Sequence, residues 1–419
     1  MIGLCDCNNF YVSCERLFDP SLEGRAVVVM SSNDGCVIAR SNEAKALGIK
    51  MAQPLFQIRD LVRSQGVVVK SGNLQLYGDI SERVMMTLRE AVPAIEVYSI
   101  DEAFLDLSGF SVDELGEFGR ALSLKVRRNT GIPVSIGMAP SKSLAKVAAK
   151  LCKSYPKLRG GCLLYRDEDI KKVLTNYPIG DIWGIGRRSV QMLSDYNIRT
   201  AEAFRLAPRS WVRAKMGVTG ERTWRELWGE SCIEIDLAPS DRQSIMVSRS
   251  FQHEATTLDE LLRSIAAFSS RATEKLRGQN SVASEMQVFI MTNRHREEHP
   301  QHSEGRMVHF STPTDSTLEI VKAATTTLRK LFKEGYGYKK AGVVLGGISD
   351  NSAIQNSMFD GVDRAKHRAL METMDRLNSN MGRSTIKVGS QGEGAARSSS
   401  ENRSPCYTTS WSDILTIKV

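Results

Sequence analysis

YSIDEAFLDL, residues 98–107, sets two carboxylates, Asp101 and Glu102, side by side between runs that read as β-strands, 95–100 and 103–107. Neighbouring strand residues point to opposite faces, so the pair converges only if the backbone turns between the two strands. Converging carboxylates repel unless they are protonated or bridged by a cation. Residues 1–8 alternate like a further short strand, with Ile2, Leu4 and Asp6 on one face and Cys5 and Cys7 on the other. Asp6, at its end, can bring a third carboxylate to the same sheet face. Oxygen-only donors favour a hard cation such as Mg²⁺, which also accepts phosphate oxygens. Two such ions suit in-line phosphoryl transfer. Spacing alone fits equally an exposed hairpin turn with two solvated acids.

The chain of 419 residues is long enough for two to four domains, and its 41% hydrophobic and 25% charged content is that of a soluble globular protein. No apolar run approaches membrane-spanning length, and the N-terminus lacks a basic region followed by an apolar core. The expected location is therefore the cytoplasm. Eight cysteines form no C-x-x-C pair, which points to reduced, mostly buried thiols rather than a zinc site or a disulfide framework.

The net charge of +8 is unevenly spread: residues 1–120 hold 11 Lys/Arg against 17 Asp/Glu, whereas residues 121–159 hold nine Lys/Arg and no acid. Such an excess suits a polyanion, usually nucleic acid, although a solvated basic face would look the same. Within it, a strand over 132–137 precedes a helix that starts near Ser141, a plausible N-cap. Leu144, Val147, Ala148 and Leu151 make the apolar stripe of that helix. Lys142, Lys146, Lys150 and Lys153 share another face, where four ammonium groups repel unless something anionic lies beside them.

Elsewhere, 26–30 and 36–39 flank the turn Asn33-Asp34-Gly35 as a hairpin, and 42–47 reads as a helix ended by Gly48. Residues 166–235 read as short helices. From 244 the order strand, helix, strand, strand, helix, strand predicts a βαββαβ domain of the split-βαβ type. Residues 388–404 are Gly/Ser-rich and predict a mobile stretch, while the closing SWSDILTIKV regains apolar residues and reads as a docking tail.

Taken together, D-C-N-N-F-Y at 6–11, Y-S-I-D-E-A-F at 98–104 and S-I-G-M-A-P-S-K-S-L-A-K at 135–146 resemble the signature of the Y-family translesion DNA polymerases. S-N-D-G-C-V-I-A-R-S-N-E-A-K-A-L-G at 32–48 and Y-T-T-S-W-S-D-I-L at 407–415 point to the UmuC-like branch, the catalytic subunits of DNA polymerase V and their plasmid-borne relatives. The resemblance implies an α/β multidomain right hand. Its parts would be a palm (1–25 and 76–165), small fingers (26–75), a helical thumb (166–240), a βαββαβ little finger (241–350), and a partly mobile C-terminal segment (351–419). It makes Asp6, Asp101 and Glu102 the catalytic ligands of two Mg²⁺ ions, with the Cys7 carbonyl as a further ligand. Phe10 and Tyr11 would border the nucleotide, Tyr11 excluding a ribose 2′-hydroxyl by bulk. Lys45 and Lys153 would meet the triphosphate. Many family members carry Tyr where this chain has Asn42, and Arg40 is the candidate to supply that phosphate contact. Lys142 and Lys146 are further candidates for a triphosphate contact, or else occupy an exposed helix face beside DNA.

Ile182-Trp183-Gly184-Ile185-Gly186-Arg187-Arg188, ahead of an apolar-periodic helix, resembles a helix-hairpin-helix, whose Gly-x-Gly turn lets backbone N–H groups approach a phosphate. Gly184, Gly186 and Arg187, with Arg249 and Lys339-Lys340 further on, are the candidate DNA contacts. Gln355, Met358 and Phe359 resemble a sliding-clamp docking peptide. The implied partners are primer-template DNA, dNTP, a UmuD′-like dimer, a RecA filament and the sliding clamp. Two readings from other classes compete: a non-catalytic DNA-binding accessory protein, which leaves three acids facing DNA unexplained, and a helix-hairpin-helix glycosylase or nuclease.

Overall fold

A computed structural model of the protein describes residues 1–238, 240–353, 361–382, 384–392 and 400–415. The chain divides into two compact units, residues 1–239 with 401–419, and residues 240–400. In the first unit β1 (Ile2–Cys7) leads into α1 (Phe10–Phe18). Then come β2 (Val27–Met30), β3 (Val37–Arg40), α2 (Asn42–Ala46), α3 (Leu55–Gln65) and β4 (Val68–Ser71). α4 (Leu74–Arg89), β5 (Ile95–Val97), β6 (Glu102–Asp106), α5 (Val112–Thr130), β7 (Val134–Ala139), α6 (Lys142–Ser154) and β8 (Gly161–Leu163) follow. Helices α7 (Asp167–Thr175), α8 (Arg187–Asp195), α9 (Ala201–Arg205) and α10 (Arg209–Leu227) close the unit.

Five of these strands form one sheet in the order β5-β6-β1-β7-β8, with β1 antiparallel to both neighbours. Period-two alternation divides its side chains between two cores. Cys5, Cys7, Ala103, Leu105, Val134, Ile136 and Met138 pack with α4 and α5. Ile2, Leu4, Phe104 and Ala139 pack with the apolar stripe of α6, Leu144, Ala145 and Ala148. Asp6 and Glu102 have the parity of Leu4 and Phe104, so they belong to the face that α6 covers. α6 lies close on β7 because Gly137 has no side chain: a Cβ there would stand 2.1 Å from the Ala149 nitrogen and 2.3 Å from the Ala145 carbonyl oxygen. Ser141 caps α6 by accepting from the Leu144 N–H, as its sequence position predicts.

β2, β3 and β4 make a separate sheet in the order β3-β2-β4, β2 and β3 being the hairpin read from the sequence. The 32–34 turn puts Asn33 and Asp34 at φ of 63° and 49°, a conformation that Asn and Asp tolerate.

The second unit holds β9 (Ile245–Ala255), α11 (Leu258–Arg277), β10 (Ser281–Thr292), β11 (Ser303–Thr314), α12 (Thr317–Leu331) and β12 (Tyr338–Asp350). The βαββαβ order is the one the sequence predicts, and the strands pair antiparallel as β11-β10-β12-β9. Leu261, Ile265, Ala272, Ile320, Ala324 and Leu328 from the two helices bury against Met286, Val288, Val343 and Leu345.

The region after 350 departs from the expected tail. α13 (Arg364–Met381) is a helix of 18 residues, tied to α11 by Arg277, whose Nε and Nη2 donate to Asp375 at 2.6 and 2.7 Å. Residues 402–407, part of which was expected to be mobile, pack on the first unit. Asn73 Nδ2 donates to the Ser404 and Pro405 carbonyls at 2.9 and 3.1 Å, which accounts for the order of this stretch. Gln355, Met358 and Phe359 lie outside the described residues. Among the described residues, no helix is long and apolar enough to cross a membrane. All eight cysteines are free thiols.

Candidate active site

The two carboxylates of the opening stretch sit where the chain turns into β6. Asp101 is the last residue before the strand and Glu102 its first. Glu102 pairs across the ladder with Asp6, and the Cys7 N–H donates to the Asp101 carbonyl at 2.9 Å. Register alone therefore brings together acids 96 residues apart. Ser99 Oγ donates to Asp101 Oδ1 at 2.6 Å and orients that carboxylate.

These acids open onto a cleft of about 450 Å³ whose lining includes Asp6, Cys7, Phe10, Tyr11, Arg40, Lys45, Asp101, Glu102 and Lys153. All nine residues singled out for metal and nucleotide binding thus share one cavity. Asn9, Ile38, Ala39, Met51 and Ile100 line it too and were missed. Asn9 carries a signal in the motif itself, as the second Asn of D-C-N-N-F-Y. It adopts φ 47° ahead of α1, and its Oδ1 accepts from Lys45 Nζ at 2.6 Å.

Cationic and anionic side chains meet in this cleft, Lys45, Arg40 and Lys153 with Asp6, Asp101 and Glu102. Burial lowers the Lys45 pKa, and the nearby charges of Lys153 and Arg40 lower it further. Three cations that repel one another form a natural seat for a polyanion. Arg40 reaches it from β3, with one guanidinium nitrogen on the Ile49 carbonyl and its Nε buried without a partner. Asn42 Oδ1 accepts from Lys45 Nζ at 3.1 Å, so it helps to position the lysine. Burial raises the Asp6 pKa, Lys153 pulls it back, and the charges of Glu102 and Asp101 raise it again.

The lysine face of α6 answers the sequence puzzle differently from expectation. Each ammonium meets one of the protein's own acids. Lys142 is buried on Glu96 and the Glu234 carbonyl, Lys146 Nζ lies 3.0 Å from both oxygens of Glu102, Lys150 Nζ is 2.8 Å from Asp181, and Lys153 Nζ is 2.6 Å from Asp6. Lys142, only 2% exposed, is thus a structural residue and not part of an exposed face beside DNA. The partners were invisible in the sequence because they sit on other elements.

A hard divalent cation would compete with Lys146 and Lys153 for these oxygens. The donor set, all oxygen and grouped in one cleft, fits such an ion by its chemistry. As the side chains stand, turned toward the lysines, no group of three or more His, Cys, Asp or Glu among the described residues gathers closely enough to hold one.

The profile of the impB/mucB/samB family matches residues 5–150, and that of its C-terminal domain matches residues 242–358. Protein UmuC of Salmonella typhimurium is 39% identical over 422 residues, covering 100% of both chains. Protein MucB of Escherichia coli is 34% identical, covering 99% of both. The chain belongs to this family, the UmuC-like branch of the Y-family DNA polymerases. A chimaeric Y-family DNA polymerase of known structure superimposes with a TM-score of 0.66 at 23% identity, over 84% of this chain and 100% of its own, which places the fold with that family. Residues 368–417 match a further domain family of unknown function.

In this Y-family polymerase the candidate DNA contacts lie outside the cleft lining. Ile182 and Ile185 are buried and leave Gly184, Gly186 and Arg187 at the surface, with Gly186 as the N-cap of α8. Gly184 takes φ 88°, the left-handed turn that the Gly-x-Gly pattern anticipates. Between them Trp183 Nε1 donates to the Tyr98 hydroxyl at 3.1 Å, joining this hairpin to the turn that precedes the carboxylates. Arg249 is exposed on β9 of the second unit.

Proposed function

We propose that this translesion polymerase carries out error-prone, template-directed DNA synthesis in SOS mutagenesis by two-metal-ion nucleotidyl transfer from dNTP to a primer 3′-hydroxyl. The observation that carries the reading is the convergence of three acids and three cations, from four distant stretches of chain, on one cleft. Asp6, Asp101, Glu102 and the Cys7 carbonyl would hold two Mg²⁺ ions. Once bound, the ions would acidify the primer hydroxyl and offset charge on the leaving pyrophosphate. Arg40, Lys45 and Lys153 bind and orient the triphosphate, and their charge is worth most as negative charge builds on it. Tyr11 walls off the space beneath the sugar, and Phe10, 3% exposed, borders the same cleft with its ring centroid 5.8 Å from that of Tyr11.

On this reading residues 1–25 and 76–165 are the palm, 26–75 the fingers, 166–240 the thumb and 241–350 the little finger. The insertion bearing β2, β3 and β4 is small, and loose enclosure of the nascent pair lowers discrimination between correct and distorted geometry. Gly184, Gly186, Arg187 and Arg249 contact phosphates, and 355–359 docks on a sliding clamp. A UmuD′-like dimer and a RecA filament are the further partners, and the cytoplasm is the location.

Primer extension with Mg²⁺ on an undamaged and a lesion-bearing template tests the whole reading. Template-dependent products on both support it. Strand cleavage, or DNA binding without synthesis, would replace it by the nuclease or the accessory protein.

Two substitutions test its parts. Tyr11→Ala is expected to raise the kcat/KM for ribonucleotides relative to deoxynucleotides by about 10²-fold while retaining deoxynucleotide insertion. An unchanged ratio removes Tyr11 from sugar selection. Lys153→Ala is expected to raise the nucleotide KM about tenfold, the loss of one charge-assisted contact. It also removes the cation that lowers the Asp6 pKa. That pKa then rises, so the acid limb of kcat/KM moves to higher pH. A change in DNA affinity alone contradicts both roles.

A further inference from the structure

Behind the proposed sugar wall lies a ring that the reaction does not touch. Tyr77, fully buried on α4, stacks on Tyr11 with centroids 4.6 Å apart and planes 18° from parallel. Its hydroxyl donates to Glu15 Oε1 at 2.6 Å. Glu15 sits on α1, one turn beyond Tyr11, and is 2% exposed. The same Glu15 oxygen accepts a second hydrogen bond, from Ser404 Oγ at 2.9 Å. Burial raises the Glu15 pKa, and these two hydroxyls counter that by hydrogen-bonding the carboxylate.

Ser404 is more than 300 residues away in the chain, on the segment that returns to the first unit. That segment grips both helices that bring the two tyrosines face to face. On α4 it takes the N-cap: Asn73 Oδ1 faces the Leu76 N–H, while Asn73 Nδ2 donates to the Ser404 carbonyl and hydroxyl and to the Pro405 carbonyl at 2.9, 3.1 and 3.1 Å. On α1, Tyr407 stacks on Phe18 with centroids 4.6 Å apart. Ser71, at the end of β4, exchanges two bonds with Asn402: its N–H donates to the Asn402 carbonyl at 3.0 Å and its Oγ accepts from the Asn402 N–H at 3.1 Å.

We infer that the C-terminal segment 402–407 is a strap that sets nucleotide sugar selectivity from a distance, by holding Glu15 and the cap of α4 so that Tyr77 braces Tyr11. The inference rests on the reading of Tyr11 as the sugar wall. Tyr77, Glu15 and Ser404 are positioning residues. Packing holds a buried aromatic ring, a hydrogen bond at its polar tip adds a fixed depth and tilt, and Glu15 supplies that bond to Tyr77. A strap that loosens, by substitution or by being drawn off by a partner, lets Tyr77 and then Tyr11 recede and opens room for a 2′-hydroxyl.

The experiment uses the full-length chain and single-nucleotide primer extension with matched ribo- and deoxynucleotides. The variants are Tyr77→Phe, Ser404→Ala, Glu15→Gln and Tyr11→Ala. Tyr77→Phe keeps the stacked ring and loses only the donor, and Ser404→Ala leaves the backbone contacts to Asn73 in place, so both test position without emptying the core. Each is expected to raise the ribo-to-deoxy ratio of kcat/KM roughly two- to tenfold, the size of one hydrogen bond, chiefly through a lower ribonucleotide KM. Glu15→Gln still offers an amide oxygen to both hydroxyls and is expected to stay nearer wild type. Loss of folded protein alone scales both sugars equally and leaves the ratio fixed. A fixed ratio in Tyr77→Phe and Ser404→Ala, with Tyr11→Ala relaxed, overturns the strap and leaves the sugar wall standing. A fixed ratio in Tyr11→Ala overturns both.

Discussion

Primer extension by the Asp101→Asn protein is expected to fall about a thousandfold in kcat/KM, the scale on which removal of a pre-set electrostatic group acts. Primer-template affinity, measured by fluorescence anisotropy, is expected to hold or rise. The substitution is nearly isosteric. Asparagine keeps an oxygen to accept from Ser99 Oγ, and the backbone bond from the Cys7 N–H to residue 101 is untouched. The turn into β6 therefore survives, and what disappears is one negative charge in the cleft. A protein that merely bound DNA would gain from that loss, since an acid among phosphates repels them. A protein that uses the acid to hold cations against primer and triphosphate loses its chemistry. Opposite signs in binding and synthesis make the result diagnostic, and extension at the wild-type rate would sink the proposed metal site. Equal loss of synthesis and DNA binding would point to damage at the turn rather than to chemistry.

Much of the site was legible because it is built on short-range rules. Alternation in residues 1–8 placed Asp6 opposite to Cys5, and the paired acids called for a turn between strands over 95–100 and 103–107, which the structure sets earlier, at 98–101, with Glu102 already in β6. The motif resemblance then named nine residues that the structure gathers in one cleft. What stayed hidden depends on long-range pairing. Nothing near Lys142 indicates that its partner is Glu96, or that Lys153 meets Asp6 from the far end of the chain. A lysine-rich helix face looks identical whether its anion is DNA or the neighbouring strand. α4 is a different kind of miss: Leu76, Ile80, Val84 and Leu88 recur every fourth residue, so its signal was present. α13 offered no such stripe. Met371 is its buried residue, and ion pairs such as Arg277–Asp375 and Arg364–Glu319 tie it down. Helices held by charge leave little periodic trace in a sequence.

The close approach of α6 to β7 carries the other large prediction. Gly137→Ala is expected to cost about 3 kcal/mol, the upper end of overpacking penalties. That lowers the unfolding midpoint of the first unit by roughly 6–12 °C. The added Cβ meets backbone, the Ala149 nitrogen and Ala145 carbonyl, so no side-chain rotation relieves it. α6 must lift, and with it Lys146 and Lys153, which reach Glu102 and Asp6 only from the present height. Gly78→Ala supplies the control. Gly78 is an exposed position inside α4 where a Cβ meets nothing within 4 Å. There the same methyl is expected to stabilise by about 0.5–1 kcal/mol through helix propensity. Thermal melts of the two variants should therefore shift in opposite directions, and the residual activity of Gly137→Ala, assayed well below its midpoint, should show a raised nucleotide KM. An unshifted melt for Gly137→Ala would mean that α6 is free to move on the sheet, and that the lysines need no such exact seat to serve the carboxylates.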